Sequence, residues 1–165
     1  MVTTPGFQLR VQSEGAGAIC RRVLATLPTW FGVPESVEDY VAKADTNPTL
    51  VTTLHGDDVG ILTLVTHTPY AAEVYVMGVV PEHHREGIGR QMVEFAETWL
   101  RARDYEFLQV KTLSPRHPDP GYVKTRAFYL ACGFRPLEEF ADLWQPGNPA
   151  LQMVKAIAPR LPEAR

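Results

Sequence analysis

Along the chain the apolar residues switch between a period of two and a period of three to four, and each switch marks an element. Residues 7–11, FQLRV, alternate as a strand does. In GAGAICRRVLATL, 15–27, Ile19, Val23, Leu24 and Leu27 recur at helical spacing, and PTWFGVP at 28–34 breaks the run. ESVEDYVAKAD, 35–45, reads as a second short helix, with Ser36 as the expected cap and Asp39 three residues on. Three strand-like runs follow at 49–55, 59–67 and 72–80, punctuated by GDD and TPY. Ile88, Met92, Phe95, Ala96, Trp99 and Leu100 then form one apolar stripe, with Glu94, Glu97 and Arg101 opposite, which predicts a helix. Residues 107–113 are a strand, 114–121 a proline-rich loop, and 122–133 a helix closed by Gly133. FRPLEEF and LQMVKAI, around a QPGNP turn, finish as strands.

The predicted order is β-α-α-β-β-β-α-β-α-β-β in a single domain, 1–165. Antiparallel strands feeding a βαβ segment imply an α/β (α+β) fold, one mixed, mostly antiparallel central sheet with helices on both faces. A doubly wound nucleotide fold is excluded by that order.

Composition narrows the picture little. Hydrophobic residues make up 45% and charged residues 21%, as in globular domains. A net charge of −3 advertises no broad basic face, so neither nucleic acid nor a membrane surface is expected as a partner. The N-terminus lacks a signal-like apolar core and no 18-residue apolar run exists, so a soluble, cytoplasmic protein is expected. Cys20 and Cys132 stand far apart in apolar contexts and are expected as reduced core residues. His55, His67 and His117 are scattered and receive no chemistry.

The candidate chemistry begins at PEHHREGIGR, 81–90, where a strand passes through Gly87 and Gly89 into a helix. The first N–H groups of a helix lack partners, and the macrodipole favours an anion there. Glycine lets the backbone approach a phosphate without a Cβ in the way. Arg85 and Arg90 flank the turn and can add charge-assisted contacts. The P-loop pattern fails, because no Lys-Ser/Thr follows. The dinucleotide fingerprint fails too, with Met92 where a third glycine belongs. Glu82, His83 and His84 do not converge as metal ligands, so no metal is expected. From these residues alone, an anion site and a purely structural turn both stay open.

VVPEHHREGIGRQMVEFAE resembles motif A of the GNAT superfamily, the acyl-CoA-dependent N-acyltransferases, and AFYLACGFRPL resembles its motif B. The element order is similar to that fold from end to end. The resemblance implies an acyl-CoA N-acyltransferase type of fold, with acetyl-CoA as acyl donor. Its pyrophosphate would be cradled by His84, Arg85, Glu86, Gly87, Ile88, Gly89 and Arg90, chiefly through backbone. His84 stands where the signature has Gln or Arg, and Tyr122 where many members carry Asn. The resemblance further assigns the backbone of Met77 and Val79 to the acetyl carbonyl and pantetheine arm.

On EVYVMGVV the period of two puts Glu73, Tyr75, Met77 and Val79 on one face. Unaided, Glu73 reads as a strand-end charge. The resemblance makes it the general base, with Tyr75 and Met77 expected to bury it. Tyr129, in Tyr-x-x-x-Gly-Phe, takes the place of the acid that protonates the leaving thiolate. The implied reaction is acetyl transfer to a primary amine, with a small molecule as the expected acceptor. Protein acetylation (at lysine or an N-terminus) and a non-catalytic acyl-CoA sensor are the alternatives, and a homodimer is left open. Trp30 and Phe31 fall in the region that shapes the acceptor pocket in this family. Trp144 sits in the last hairpin, where it could cover that pocket, and Trp99 follows the core stripe.

Overall fold

The computed structural model of the chain describes residues 2–4 and 6–157. The chain divides into one unit within 1–65 and 74–96 and another within 66–73 and 97–165. The ends of the 1–165 range lie outside the described residues.

In the first unit, β1 (Val2–Thr4), β2 (Phe7–Gln12), β3 (Thr49–Leu54) and β4 (Asp57–Thr68) pair antiparallel in that order. Registers include Leu9↔Thr52 and Leu50↔Leu62. β1 was not foreseen, since three residues carry no readable alternation. β5 (Ala71–Val79) follows and alternates as expected, with Val74, Val76 and Gly78 buried and Tyr75, Met77 and Val79 half-buried.

Two helices cover one face of this sheet. α1 (Gly17–Ala25) and α2 (Pro34–Thr46) bury Cys20, Val23, Leu24 and Ala44 against Ile61 of β4 and Val76 of β5. Gly78 lies so close beneath α1 that an added Cβ would stand 2.9 Å from a methyl of Leu27. The expected Ser36 cap is not used. Pro34, which has no N–H to leave unpaired, opens α2, and Ser36 falls inside the helix. α1 is capped from outside its own sequence: the Asp45 carboxylate of α2 accepts from the Gly17 N–H at 2.7 Å. α3 (Ile88–Arg101) buries Ile88, Met92, Val93 and Ala96, and Met92 packs next to Gly60 of β4. Gly60 and Ile61 are neighbours in a strand, so α3 lies on the face opposite α1.

In the second unit, β6 (Phe107–Leu113) pairs antiparallel with β8 (Ala150–Ala156), and β8 with β7 (Arg135–Phe140). α4 (Pro120–Ala131) starts two residues earlier than predicted, because Asp119 caps it by accepting from the Gly121 N–H at 2.7 Å. Its end is a Schellman turn: the Phe134 N–H reaches Tyr129 O, the Gly133 N–H reaches Leu130 O, and Gly133 takes φ +93°.

Two expectations for α3 need correction. Glu97 is not on a polar face; it is 4% exposed, ion-paired with Arg101 at 2.9 Å and with Lys155 of β8. Trp99 is half-buried rather than core, and the Arg103 guanidinium stacks 3.7 Å over its ring.

Candidate active site

The loop between β5 and α3 is shaped by its backbone. A single 3-10 turn, Pro81–His83, returns the chain, with the His83 N–H on Val80 O and the His84 N–H on Pro81 O, both at 3.1 Å. Arg85 takes φ +67° and Gly87 φ +81°, and α3 begins at Ile88. Gly89 lies in the first helical turn, so the left-handed positions are Arg85 and Gly87 rather than the two glycines. A non-glycine residue there is uncommon and collects at functional loops.

An added Cβ at Gly87 would meet nothing within 4 Å. The glycine is therefore not a packing necessity: it supplies the left-handed turn and leaves open space before the first N–H groups of a 14-residue helix. Those groups and that space fit a pyrophosphate. Arg85, Glu86 and Arg90 are exposed around them. His83 is within 3.1 Å of Glu86, and His84 Nε2 donates to Val79 O at 2.7 Å. Among the described residues, no three His, Cys, Asp or Glu side chains come together as a metal site.

Glu73, on the part of β5 that belongs to the second unit, is 4% exposed. Its Oε2 accepts from Lys111 Nζ of β6 at 2.8 Å and is also hydrogen-bonded to His67 Nε2 of β4. Neither partner was anticipated. His67 looked isolated in the sequence, and Lys111 is one lysine among alternating strand residues. No signal in the sequence singles them out, since β4 also carries Asp57, Asp58, Thr63, Thr66 and Thr68, and β6 carries Gln109 and Thr112.

Tyr129 is the buried residue of α4, with its ring against Phe128 and Phe134 at centroid separations of 5.2 and 5.4 Å. Burial, above all, and then the nearby Cys132 and Tyr122 push its phenol well above the ordinary value, so the hydroxyl keeps its proton.

In the first unit, Tyr75 of β5 donates its hydroxyl to Asp39 of α2 at 2.5 Å. Tyr40 stands edge-on to both Tyr75 and Phe31, at 5.9 and 5.8 Å, and Lys43 Nζ lies 5.6 Å from the centre of the Tyr75 ring. Phe31 thus packs into the α1–α2 cluster, while Trp30 turns its edge towards the His84 ring at 6.3 Å. Trp144 is 39% exposed.

The acetyltransferase (GNAT) domain profile matches residues 40–136, more than half of the chain. No curated protein matches the sequence. Solved structures do. A GNAT-family protein from Desulfovibrio desulfuricans is 18% identical, with a TM-score of 0.79 over 92% of this chain and 99% of that one. The ribosomal-protein-S18-alanine N-acetyltransferase of Escherichia coli is 14% identical, with a TM-score of 0.70 over 96% and 99%. An aminoglycoside 6′-N-acetyltransferase complexed with coenzyme A is 14% identical, with a TM-score of 0.68 over 93% and 99%. At such identities the likeness is one of fold, and the mixed α/β fold of this chain is theirs.

Proposed function

The chain belongs to the GNAT acetyltransferase family, and from that premise we propose that it transfers an acetyl group from acetyl-CoA to the primary amine of a small molecule. The observation that carries this reading is the open, left-handed turn at Gly87 ahead of the α3 N-terminus. The coenzyme A seen with an aminoglycoside acetyltransferase of the same fold supports the choice of donor. Acetyl-CoA supplies an activated thioester. Arg85 to Arg90 hold its pyrophosphate, chiefly through backbone N–H groups, while His84, whose N–H is already given to Pro81 O, borders the site, and the backbone of Met77 and Val79 lines up the rest. The profile match runs through residues of both units, which supports one catalytic domain over 1–165.

Glu73 removes the ammonium proton so that the amine can attack directly. Both donors to this carboxylate meet Oε2, so Oε1 is the oxygen that takes the proton. A buried base must also release its proton each cycle. His67, which donates to Oε2 and is 38% exposed, anchors the carboxylate and leaves Oε1 to hand its proton on. Tyr129 keeps its phenol proton and donates it to the departing thiolate.

Tyr75 follows Glu73 on the odd face of β5, and its partner Asp39 offers a carboxylate to a cationic acceptor. That chemistry suits a small cationic amine as the acceptor, and we place the reaction in the cytoplasm. Acetyl-CoA-dependent thiol release against a panel of amines and of peptides with free N-termini tests the reading. Peptides turned over in preference to small amines would replace the acceptor class. Coenzyme A bound without turnover of anything would make the protein a sensor. Gly87→Val should abolish measurable CoA binding in calorimetry, and undiminished binding would remove the pyrophosphate from this loop.

A further inference from the structure

The carbonyl that ends β5 is already engaged. The Val80 N–H donates to Val59 O of β4 at 2.9 Å. In a trans peptide the Val79 carbonyl must then point the opposite way, away from β4. On that side His84 Nε2 donates to it at 2.7 Å. By the two-residue period of a strand, the backbone groups of Met77 face the same direction. These are the two residues whose backbone is assigned above to the acyl carbonyl and the pantetheine arm. An arm amide laid along β5 and the imidazole of His84 therefore need the same acceptor.

We propose that His84 is a placeholder for the pantetheine amide, holding the Val79 carbonyl until the acyl donor takes it over. The inference rests on the coenzyme A site proposed above. The geometry is built rather than incidental. The Pro81–His83 turn folds the chain back through two backbone hydrogen bonds, so that a side chain five residues on reaches the strand it has just left. Trp30 stands edge-on to the imidazole and limits where the ring can go. The contact is exposed, so water is the alternative donor to this strand-end carbonyl, and His84 is the donor that the loop holds in place. Seating the donor then exchanges one hydrogen bond for another, so coenzyme A forgoes the benefit of that bond when it binds. The left-handed Arg85, next in the chain, is where the loop can pivot as the imidazole leaves.

Calorimetry on the full chain separates this from simple stiffening of the loop. The probes are coenzyme A and ADP, which has the pyrophosphate but no pantetheine. His84→Ala should bind coenzyme A roughly three- to tenfold more tightly, the worth of one hydrogen bond, with ADP unchanged. His84→Phe, which keeps a ring beside Trp30 but no donor, should behave the same way. In the unsubstituted protein, the ring nitrogen resonances of His84 should move when coenzyme A is added and stay when ADP is added. Wild-type protein that binds coenzyme A while both variants bind it equally or more weakly overturns the placeholder role and leaves the site intact. Wild-type protein that binds no coenzyme A overturns both.

Discussion

At the scale of single residues, the structure shows how much chemistry a lone carboxylate can organise. Glu73 stands 4% exposed between an ammonium and an imidazole, both on its Oε2. Removing one partner of a buried pair leaves a charge uncompensated, so Lys111→Met should cost about 3 kcal/mol of stability in urea melts. Most of that should return in the Lys111→Met, Glu73→Gln double variant, where no charge is left to compensate. Glu73→Gln alone should lower kcat by roughly 10²–10⁴-fold at neutral pH while coenzyme A affinity stays nearly constant. The deficit should shrink as pH rises and the amine arrives already deprotonated; a pH-independent deficit would assign the proton to another group. Tyr129→Phe keeps the ring against Phe128 and Phe134, so the melting temperature should hardly move while kcat falls. Wild-type kcat in that variant would make Tyr129 a packing residue.

At the scale of elements, ends are set by partners that sequence windows do not see. The helix at 88–101 and the strand at 107–113 were legible because each satisfies one period over its whole length. The start of α1 was not, since its acceptor is Asp45, 28 residues away. Asp45→Ala should cost about 1 kcal/mol, as loss of an N-cap does. Circular dichroism melts would check it, and an unchanged midpoint would mean that water caps the helix as well. Gly17→Ala should cost more, because its methyl would stand 2.5 Å from that carboxylate. Glu97 illustrates the same limit. Its helical position reads as polar surface paired with Arg101 four residues on, while its second partner, Lys155, lies 58 residues away and outside any sequence window. The loop of the candidate site was legible in composition but not in conformation. Glycine content marks a turn, yet which residues go left-handed depends on where α3 begins, and that start made Arg85 rather than Gly89 the second one.

For the molecule as a whole, acid–base linkage gives a prediction that no single contact does. Burial pushes the Cys20 thiol up from 9.0 to about 12, with Asp45 adding to the rise and Arg21 opposing it, and burial likewise raises Tyr129. A group raised on folding ionises more readily in the unfolded chain. Its contribution is therefore complete below the unfolded value and is lost as pH climbs towards the folded one. The melting temperature should be level from pH 7 to about 9 and decline above it, and Cys20→Ala should flatten part of the decline. A profile equally steep in both proteins would place the titration elsewhere.

β7 carries a consequence of another kind. Among the described residues it ends the strand order, with β8 its neighbour on one side, and nearly all of it is exposed, Leu137 by 62%. Such a rim invites stray strands to dock, which is how soluble chains begin to clump into fibrils. Pro136 has no N–H to offer an intruder, the ladder slips out of step between Pro136 and Glu138, and Glu138 and Glu139 bring negative charge to the same stretch. The features that make this strand look poorly formed are what keep it from recruiting others at the concentrations of a crowded cell.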